Sequence, residues 1–99
     1  MRIDYQHNLT QEEAYRRINN LLTDLQKQYA DKIRNPQTSW SPEHTRMSYS
    51  MEIMGFGTKG EVTLQDGQIS LEGKLPFMAK MFSGKIEEMV RKQLDNLLA

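Results

Sequence analysis

The 99-residue sequence contains no cysteine, which excludes disulfides, thiolate metal ligands and cysteine nucleophiles together. Long apolar runs are also missing, since the longest span three or four residues and a membrane-crossing helix needs ~20. The first residues hold no apolar stretch of signal-peptide length, so export is not expected. We therefore expect a cytoplasmic protein with no transmembrane segment.

An excess of charge of one sign is absent as well, because 13 basic residues balance 13 acidic ones. No global positive field attracts nucleic acid, so we expect no nucleic-acid partner. Residues 74–99 carry a mild positive excess, with five basic residues against three acidic ones. Acidic side chains interrupt the basic ones, which therefore form no continuous stripe.

The length and composition fit one soluble domain, predicted over residues 1–99, with one modest core. Its first part predicts a strand, in which Ile3 and Tyr5 share one side, followed by a helix. Thr10 and Glu13 have the spacing of a capping box at the start of that helix. Apolar residues then recur at helical spacing, which predicts one helix of five to six turns. These apolar positions are Ala14, Ile18, Leu21, Leu22, Leu25 and Tyr29.

The middle of the chain predicts an antiparallel meander of short strands. A strand over residues 37–40 is followed by turn residues at 41–44 and by a strongly alternating strand over 46–54. Two further strands, over 58–65 and 68–75, complete the meander. The glycine-rich stretch before the third of these strands lacks the spacing of a phosphate loop, and we interpret it as a hairpin turn.

The last two strands flank Asp66-Gly67, a dipeptide suited to the two positive-φ positions of a type I′ turn. Pairing in this register places four apolar residues on one face of the sheet. It also sets Gly60 opposite Gly73, a bare patch that a helix backbone or a bound group could approach. The predicted apolar pairs are Val62 with Leu71 and Leu64 with Ile69.

The end of the chain predicts a second amphipathic helix that follows Pro76. Ser83-Gly84 interrupts it, and we favour a kink between a short turn at Phe77–Phe82 and a helix over 85–98 to a tight crossing over the sheet. The order of elements predicts a two-layer α+β fold, β-α-β-β-β(-β)-α, with two long helices on an antiparallel sheet. The apolar stripe of the last helix comprises Met78, Phe82, Ile86, Met89, Val90, Leu94 and Leu97.

Several segments, in a consistent order and spacing over nearly the whole chain, resemble the family of polyhydroxyalkanoic acid system proteins. They comprise residues 1–9, 13–17, 56–62, the triplet Leu75-Pro76-Phe77 and residues 82–87. The resemblance implies a bacterial cytoplasmic setting near polyester storage granules, and it implies neither catalytic residues nor a cofactor. The order of elements is also similar to a shortened helix-grip fold, which holds hydrophobic ligands; this is an analogy of fold.

Chemistry-bearing residues are sparse. His7 and His44 lie 37 residues apart with no neighbour at metal-ligand spacing, so we expect neither a metal site nor a histidine-based catalytic centre. Glu87 and Glu88 are adjacent on a helix and point about 100° apart, which does not suit a catalytic pair. We therefore expect a protein that is not an enzyme.

Two binding hypotheses follow from the apolar residues. In the first, a cluster in the Phe77–Phe82 turn, with a cationic rim, binds a polyester granule surface or a granule-associated protein. In the second, an acyl-type ligand lies between the sheet and the last helix. A homodimer through either helix is compatible with both. The first surface comprises Phe77, Met78, Met81, Phe82, Lys80 and Lys85. The second site comprises Trp40, Met47, Tyr49, Met51, Val62 and Leu71.

Overall fold

The computed structural model describes residues 1–98; Ala99, the last residue of the predicted domain, lies outside the described residues. Five strands, three α-helices and one 3-10 helix follow one another along this part of the chain, which confirms the α+β class. The elements are β1 (Arg2–Gln6), α1 (Gln11–Ile18), α2 (Leu21–Gln28), β2 (Ile33–Trp40), β3 (Arg46–Ile53), β4 (Phe56–Gln65), β5 (Gln68–Lys74), the 3-10 helix (Phe77–Phe82) and α3 (Ser83–Leu98).

The five strands form one antiparallel sheet in the order β1-β5-β4-β3-β2. The first two strands therefore lie at opposite edges, and α1 and α2 connect them across the sheet. Buried and exposed side chains alternate along β3 and β5, because one face packs under the helices and the other faces solvent. The predicted two-layer arrangement is confirmed.

The β4–β5 hairpin has the predicted register, with Val62 opposite Leu71 and Gly60 opposite Gly73. The predicted turn type is wrong, since only Gly67 of the Asp66-Gly67 pair has a positive φ, of 79°. This turn is tied to the first residue of α1, where the Gln11 amide donates to the Asp66 carboxylate at 2.7 Å. Tertiary contact thus outweighs the local preference of the dipeptide.

Two consecutive positive φ angles occur instead in the β3–β4 hairpin. They belong to Met54, at 52°, and Gly55, at 84°, between the paired residues Ile53 and Phe56. Two positive values in a two-residue loop are typical of a type I′ turn, whose twist matches that of the strands. Methionine is an uncommon residue at such a position.

The predicted single long helix is wrong, because the chain breaks at Asn19-Asn20 into α1 and α2. Asn20 has non-helical angles, φ −106° and ψ 19°, and its carbonyl accepts from the Asp24 amide as the second helix begins. Asparagine favours such breaks, since its side chain competes for backbone hydrogen bonds. Half of the predicted capping box is present: the Thr10 hydroxyl accepts from the Glu13 amide at 3.2 Å, while the Glu13 carboxylate accepts from Arg17 at 3.2 Å.

Strand β2 is longer than predicted and contains an irregularity. Pairing with β3 shifts register between Arg34 and Gln37, and Asn35 has a φ of 53°. The extra residue places both Ile33 and Trp40, seven positions apart, opposite inward-facing residues of β3. The edge strand therefore contributes to the core at both of its ends.

The C-terminal segment changes from a 3-10 helix to an α-helix at Ser83, so the predicted division after Phe82 is present, with the α-helix beginning two residues before residue 85. A Cβ added at Gly84 would meet no atom within 4 Å, so a tight crossing over the sheet does not explain this glycine. The α3 stripe is buried from Ile86 to Leu94, with Gln93, which the apolar pattern missed, among its buried residues; at its end Leu97 is half-buried and Leu98 is buried instead. At the start of the predicted stripe, Met78 is exposed and Phe82 is half-buried.

Candidate surface-binding site

The 3-10 helix presents its side chains in three rows. A 3-10 helix has three residues per turn, so residues i and i+3 lie directly above one another. Ala79 and Phe82 form the inward row: Ala79 is 1% exposed, and the Phe82 ring lies 6.3 Å from the ring of Phe56. The other two rows face solvent.

Three large apolar side chains occupy these outward rows, and we call them the apolar patch. Phe77 is 83% exposed, Met78 66% and Met81 77%. In an α-helix, Met78 and Met81 would be about 300° apart, which is about 60° the other way round, so they would lie on nearby flanks. The 3-10 geometry places them in one row beside the row of Phe77 and Lys80. Two of the three apolar side chains of the patch therefore lie in one row, next to the row that holds the third.

Lysines border the apolar patch. Lys74, Lys80 and Lys85 are exposed, and no ion pair among residues 1–98 includes any of them. Arg91, farther along α3, forms an ion pair with Glu87, with 2.9 Å between the Nε atom of Arg91 and the Oε2 atom of Glu87. The lysines of this rim are thus available to an anionic partner.

The patch is held in place from both ends. Pro76 precedes the 3-10 helix, and its carbonyl accepts from the Ala79 amide at 2.9 Å. Leu75 and Phe82, on either side of the patch, pack against the core. Ala79 is the buried contact that sequence reasoning missed; the three-residue spacing from Ala79 to Phe82 is the signal that could have revealed it. The exposed side chains consequently project from an anchored segment.

A small apolar cavity lies between the sheet and the helices α2 and α3. Its volume is about 30 Å³, and its lining includes five of the six residues predicted for a ligand pocket. A drug-sized ligand needs ~300 Å³ or more, so the space is far smaller than such a ligand requires, and its apolar lining offers a water few hydrogen-bond partners. Ligand binding at this place stays a prediction. The five residues are Met47, Tyr49, Met51, Val62 and Leu71.

The predicted bare patch at the paired glycines is occupied by a side chain of the same sheet. The Tyr49 hydroxyl lies where a Cβ of Gly60 or Gly73 would point, 2.7 and 2.4 Å from those two positions. It donates a hydrogen bond to the Glu72 carbonyl at 3.1 Å. Burial raises the pKa of Tyr49 to about 12, so the phenol is neutral at ordinary pH. The Tyr49 hydroxyl thus takes the space that the paired glycines leave.

The whole arrangement, from β1 to the end of α3, corresponds to one known family. A family model described as "Putative polyhydroxyalkanoic acid system protein" matches residues 1–98. The chain belongs to this family. It matches none of the curated proteins and none of the solved structures with which it was compared. Its similarity to the helix-grip fold accordingly stays a prediction.

Trp40, the sixth residue of the predicted ligand pocket, does not line the cavity of this family member. Its ring meets Tyr15 of α1 edge to face at 4.7 Å, and Tyr15 stacks on His44 at 4.0 Å. Ile33, at the other end of β2, lines the cavity. Trp40 thus belongs to an aromatic group beneath α1.

The two histidines, His7 and His44, contact different residues. The Nδ1 atom of His7 accepts from the Leu9 amide at 2.9 Å, and desolvation lowers the pKa of this imidazole. His44 stacks on Tyr15. Among residues 1–98, no three His, Asp or Glu side chains are grouped so that they could hold a metal ion. None of the helices described is long and apolar enough to cross a membrane.

Proposed function

We propose that this member of the polyhydroxyalkanoic acid system family is a non-enzymatic protein that attaches to the surface of polyester storage granules. The apolar patch of Phe77, Met78 and Met81 makes the contact. The observation that carries the proposal is the exposure of these three large side chains on an anchored segment. Large contiguous apolar patches on a surface mark interaction sites, whereas apolar side chains scattered singly are normal.

The stripe of α3 is not the attachment surface in this proposal. Its residues Ile86, Met89, Val90 and Leu94 are buried in the protein's own core. The patch lies on the 3-10 helix, before the buried part of the stripe, so attachment requires no unfolding of α3. The protein can bind and leave a surface while it stays folded.

The expected affinity is modest. Fully burying one large apolar side chain contributes roughly 1.5–3 kcal/mol, and a surface covers each side chain of the patch only in part. The lysine rim adds attraction where the surface carries anionic groups. We therefore expect reversible binding that weakens when salt screens the lysines.

Sedimentation with polyester particles tests the proposal. The wild type should pellet with protein-free particles, and a Phe77→Ser/Met81→Ser variant should stay largely in the supernatant. A Gln28→Ser/Gln65→Ser variant, changed at two exposed polar sites elsewhere, serves as the matched control and should pellet like the wild type. Equal partition of the wild type and the patch variant would refute surface attachment through the patch.

Native granules distinguish a polymer contact from a protein contact. If the wild type pellets with native granules but not with protein-free particles, the partner is a granule-associated protein. Lys80→Gln/Lys85→Gln should reduce pelleting at low salt and have little effect at high salt, because screening already removes the attraction of the rim. A salt response unchanged by this variant would exclude the rim from binding.

A further inference from the structure

The seven methionines of the chain differ sharply in exposure. Met78 is 66% exposed and Met81 77%, and the two lie in one row of the 3-10 helix. Each of the other five is covered wholly or largely by the core. Met47 and Met89 are buried, and Met1, Met51 and Met54 pack against the core as partly buried residues.

We propose that Met78 and Met81 form a reversible oxidation site that switches the apolar patch from an adhesive to a non-adhesive state. The oxidant is a peroxide such as hydrogen peroxide. The thioether sulfur attacks one peroxide oxygen, and an S–O bond forms as the O–O bond breaks. The proton on the transferred oxygen moves to the departing hydroxide, which leaves as water. Sulfur loses two electrons and the peroxide gains them.

Oxidation changes the chemistry of the patch at its centre. A methionine sulfoxide is polar and forms strong hydrogen bonds with water, so it resists transfer to an apolar surface. Two such groups in one row leave Phe77 as the only apolar side chain of the patch. The core is spared, because Met47 and Met89 are shielded from the oxidant. The switch therefore acts without unfolding the protein, and sulfoxide reductases can reverse it.

This inference rests on the proposed function in one respect, that the patch contacts an apolar surface. Binding and oxidation then exclude each other. A bound protein hides Met78 and Met81 from peroxide, and an oxidised protein binds poorly. The same two residues therefore report attachment and control it.

The modification itself can be tested on the free protein. Dilute hydrogen peroxide followed by peptide mass mapping should show an added oxygen at Met78 and Met81 well before Met47 and Met89. Circular dichroism and the denaturation midpoint should remain those of the untreated protein. Oxidation of the buried methionines at the same rate, or loss of folding at the stage when two oxygens have been added, would overturn the proposal.

The switch is tested by partition on protein-free polyester particles. The oxidised wild type should bind about tenfold more weakly than the untreated protein, and sulfoxide reductases should restore binding. A Met78→Leu/Met81→Leu variant should bind like the untreated wild type and keep its affinity after peroxide. If peroxide weakens this variant as much as the wild type, the site of the switch is wrong.

The failures of the two proposals are distinguishable. If the untreated wild type binds neither protein-free particles nor native granules, the proposed function fails, and selective oxidation of the free protein is still measurable. If the wild type binds and its oxidised form binds equally well, the switch fails and surface attachment stands. Particles that shield Met78 and Met81 from peroxide, while the partly buried Met51 reacts at an unchanged rate, support both.

Discussion

The hydroxyl of Tyr49 on β3 reaches across β4 and donates a hydrogen bond to the backbone carbonyl of Glu72 on β5, 3.1 Å away. The path is open because Gly60 and Gly73 carry no Cβ there. A Cβ on Gly73 would lie 2.4 Å from the tyrosine oxygen and 3.7 Å from the ring carbon that bears it. The hydroxyl oxygen alone therefore makes the conflict.

Gly73→Ala should destabilise the protein by about 1–3 kcal/mol, the usual range for overpacking a core. In a Tyr49→Phe background the same change should cost much less, because the clashing oxygen is gone. Tyr49→Phe alone should cost about 1 kcal/mol for the lost hydrogen bond. Urea denaturation of the four proteins gives the coupling energy of this double-mutant cycle.

Gly60→Ala is the matched control for this cycle. A Cβ there would lie 1.9 Å from the Glu72 carbonyl oxygen and 2.7 Å from the Gly73 Cα, both backbone atoms. Tyr49→Phe should therefore not rescue Gly60→Ala. A cost of Gly73→Ala that is the same in both backgrounds would contradict the assignment of the clash to the hydroxyl.

Stability should fall at high pH because of the same tyrosine. The pKa of Tyr49 is raised to about 12 by burial, against about 10 in the unfolded chain. Below pH ~10 the folded and the unfolded protein both keep the phenol proton of Tyr49. Between the two pKa values only the unfolded protein loses it, so the free energy of unfolding decreases as the pH rises from about 10 to about 12. The full loss is about 2–3 kcal/mol. Tyr49→Phe should flatten the curve between pH 9 and 11.5 relative to the wild type, and parallel curves would contradict this origin.

Much of the fold was predictable, because periodicity and pairing depend on local sequence. The register of Val62 with Leu71 followed from the length of the loop, and the division of the C-terminal segment into two helices followed from Ser83-Gly84. The break at Asn19-Asn20 was not found, since the apolar period continues across it and only the two asparagines signal it. The prediction of the turn type at Asp66-Gly67 was wrong because a contact from another segment, the start of α1, holds this backbone.

The candidate site was predictable in its residues and not in its geometry. Four residues of the Phe77–Phe82 segment stood out as more apolar than the core requires. Their division into exposed and inward rows depends on the 3-10 conformation, in which side chains three residues apart lie in one row. The 3.6-residue period of an α-helix does not reveal these rows. For the bare glycine patch, the sequence showed the opening but not the long side chain from β3 that fills it.

Two glycines at the β3–β4 turn allow the effect of backbone strain on stability to be measured without any effect of steric crowding. Gly55 and Gly57 both have room, since a Cβ on either would meet nothing within 4 Å. Only Gly55 has a positive φ, of 84°. Gly55→Ala should therefore cost about 1 kcal/mol, and Gly57→Ala, in an extended strand, should be neutral or slightly stabilising. Thermal or urea denaturation gives the comparison, and equal costs would show that φ is not the cause.

The two sides of the 3-10 helix should separate binding from stability. Phe77→Ser and Met81→Ser remove exposed side chains, so each should change the free energy of unfolding by no more than about 0.5 kcal/mol. Phe82→Ser should cost about 1–2 kcal/mol, because this half-buried ring packs against Phe56 and the core. Denaturation of the three variants in urea provides the measurement. A large cost at Phe77 or Met81 would show that these side chains stabilise the fold, and would remove the reason to assign them to a surface contact.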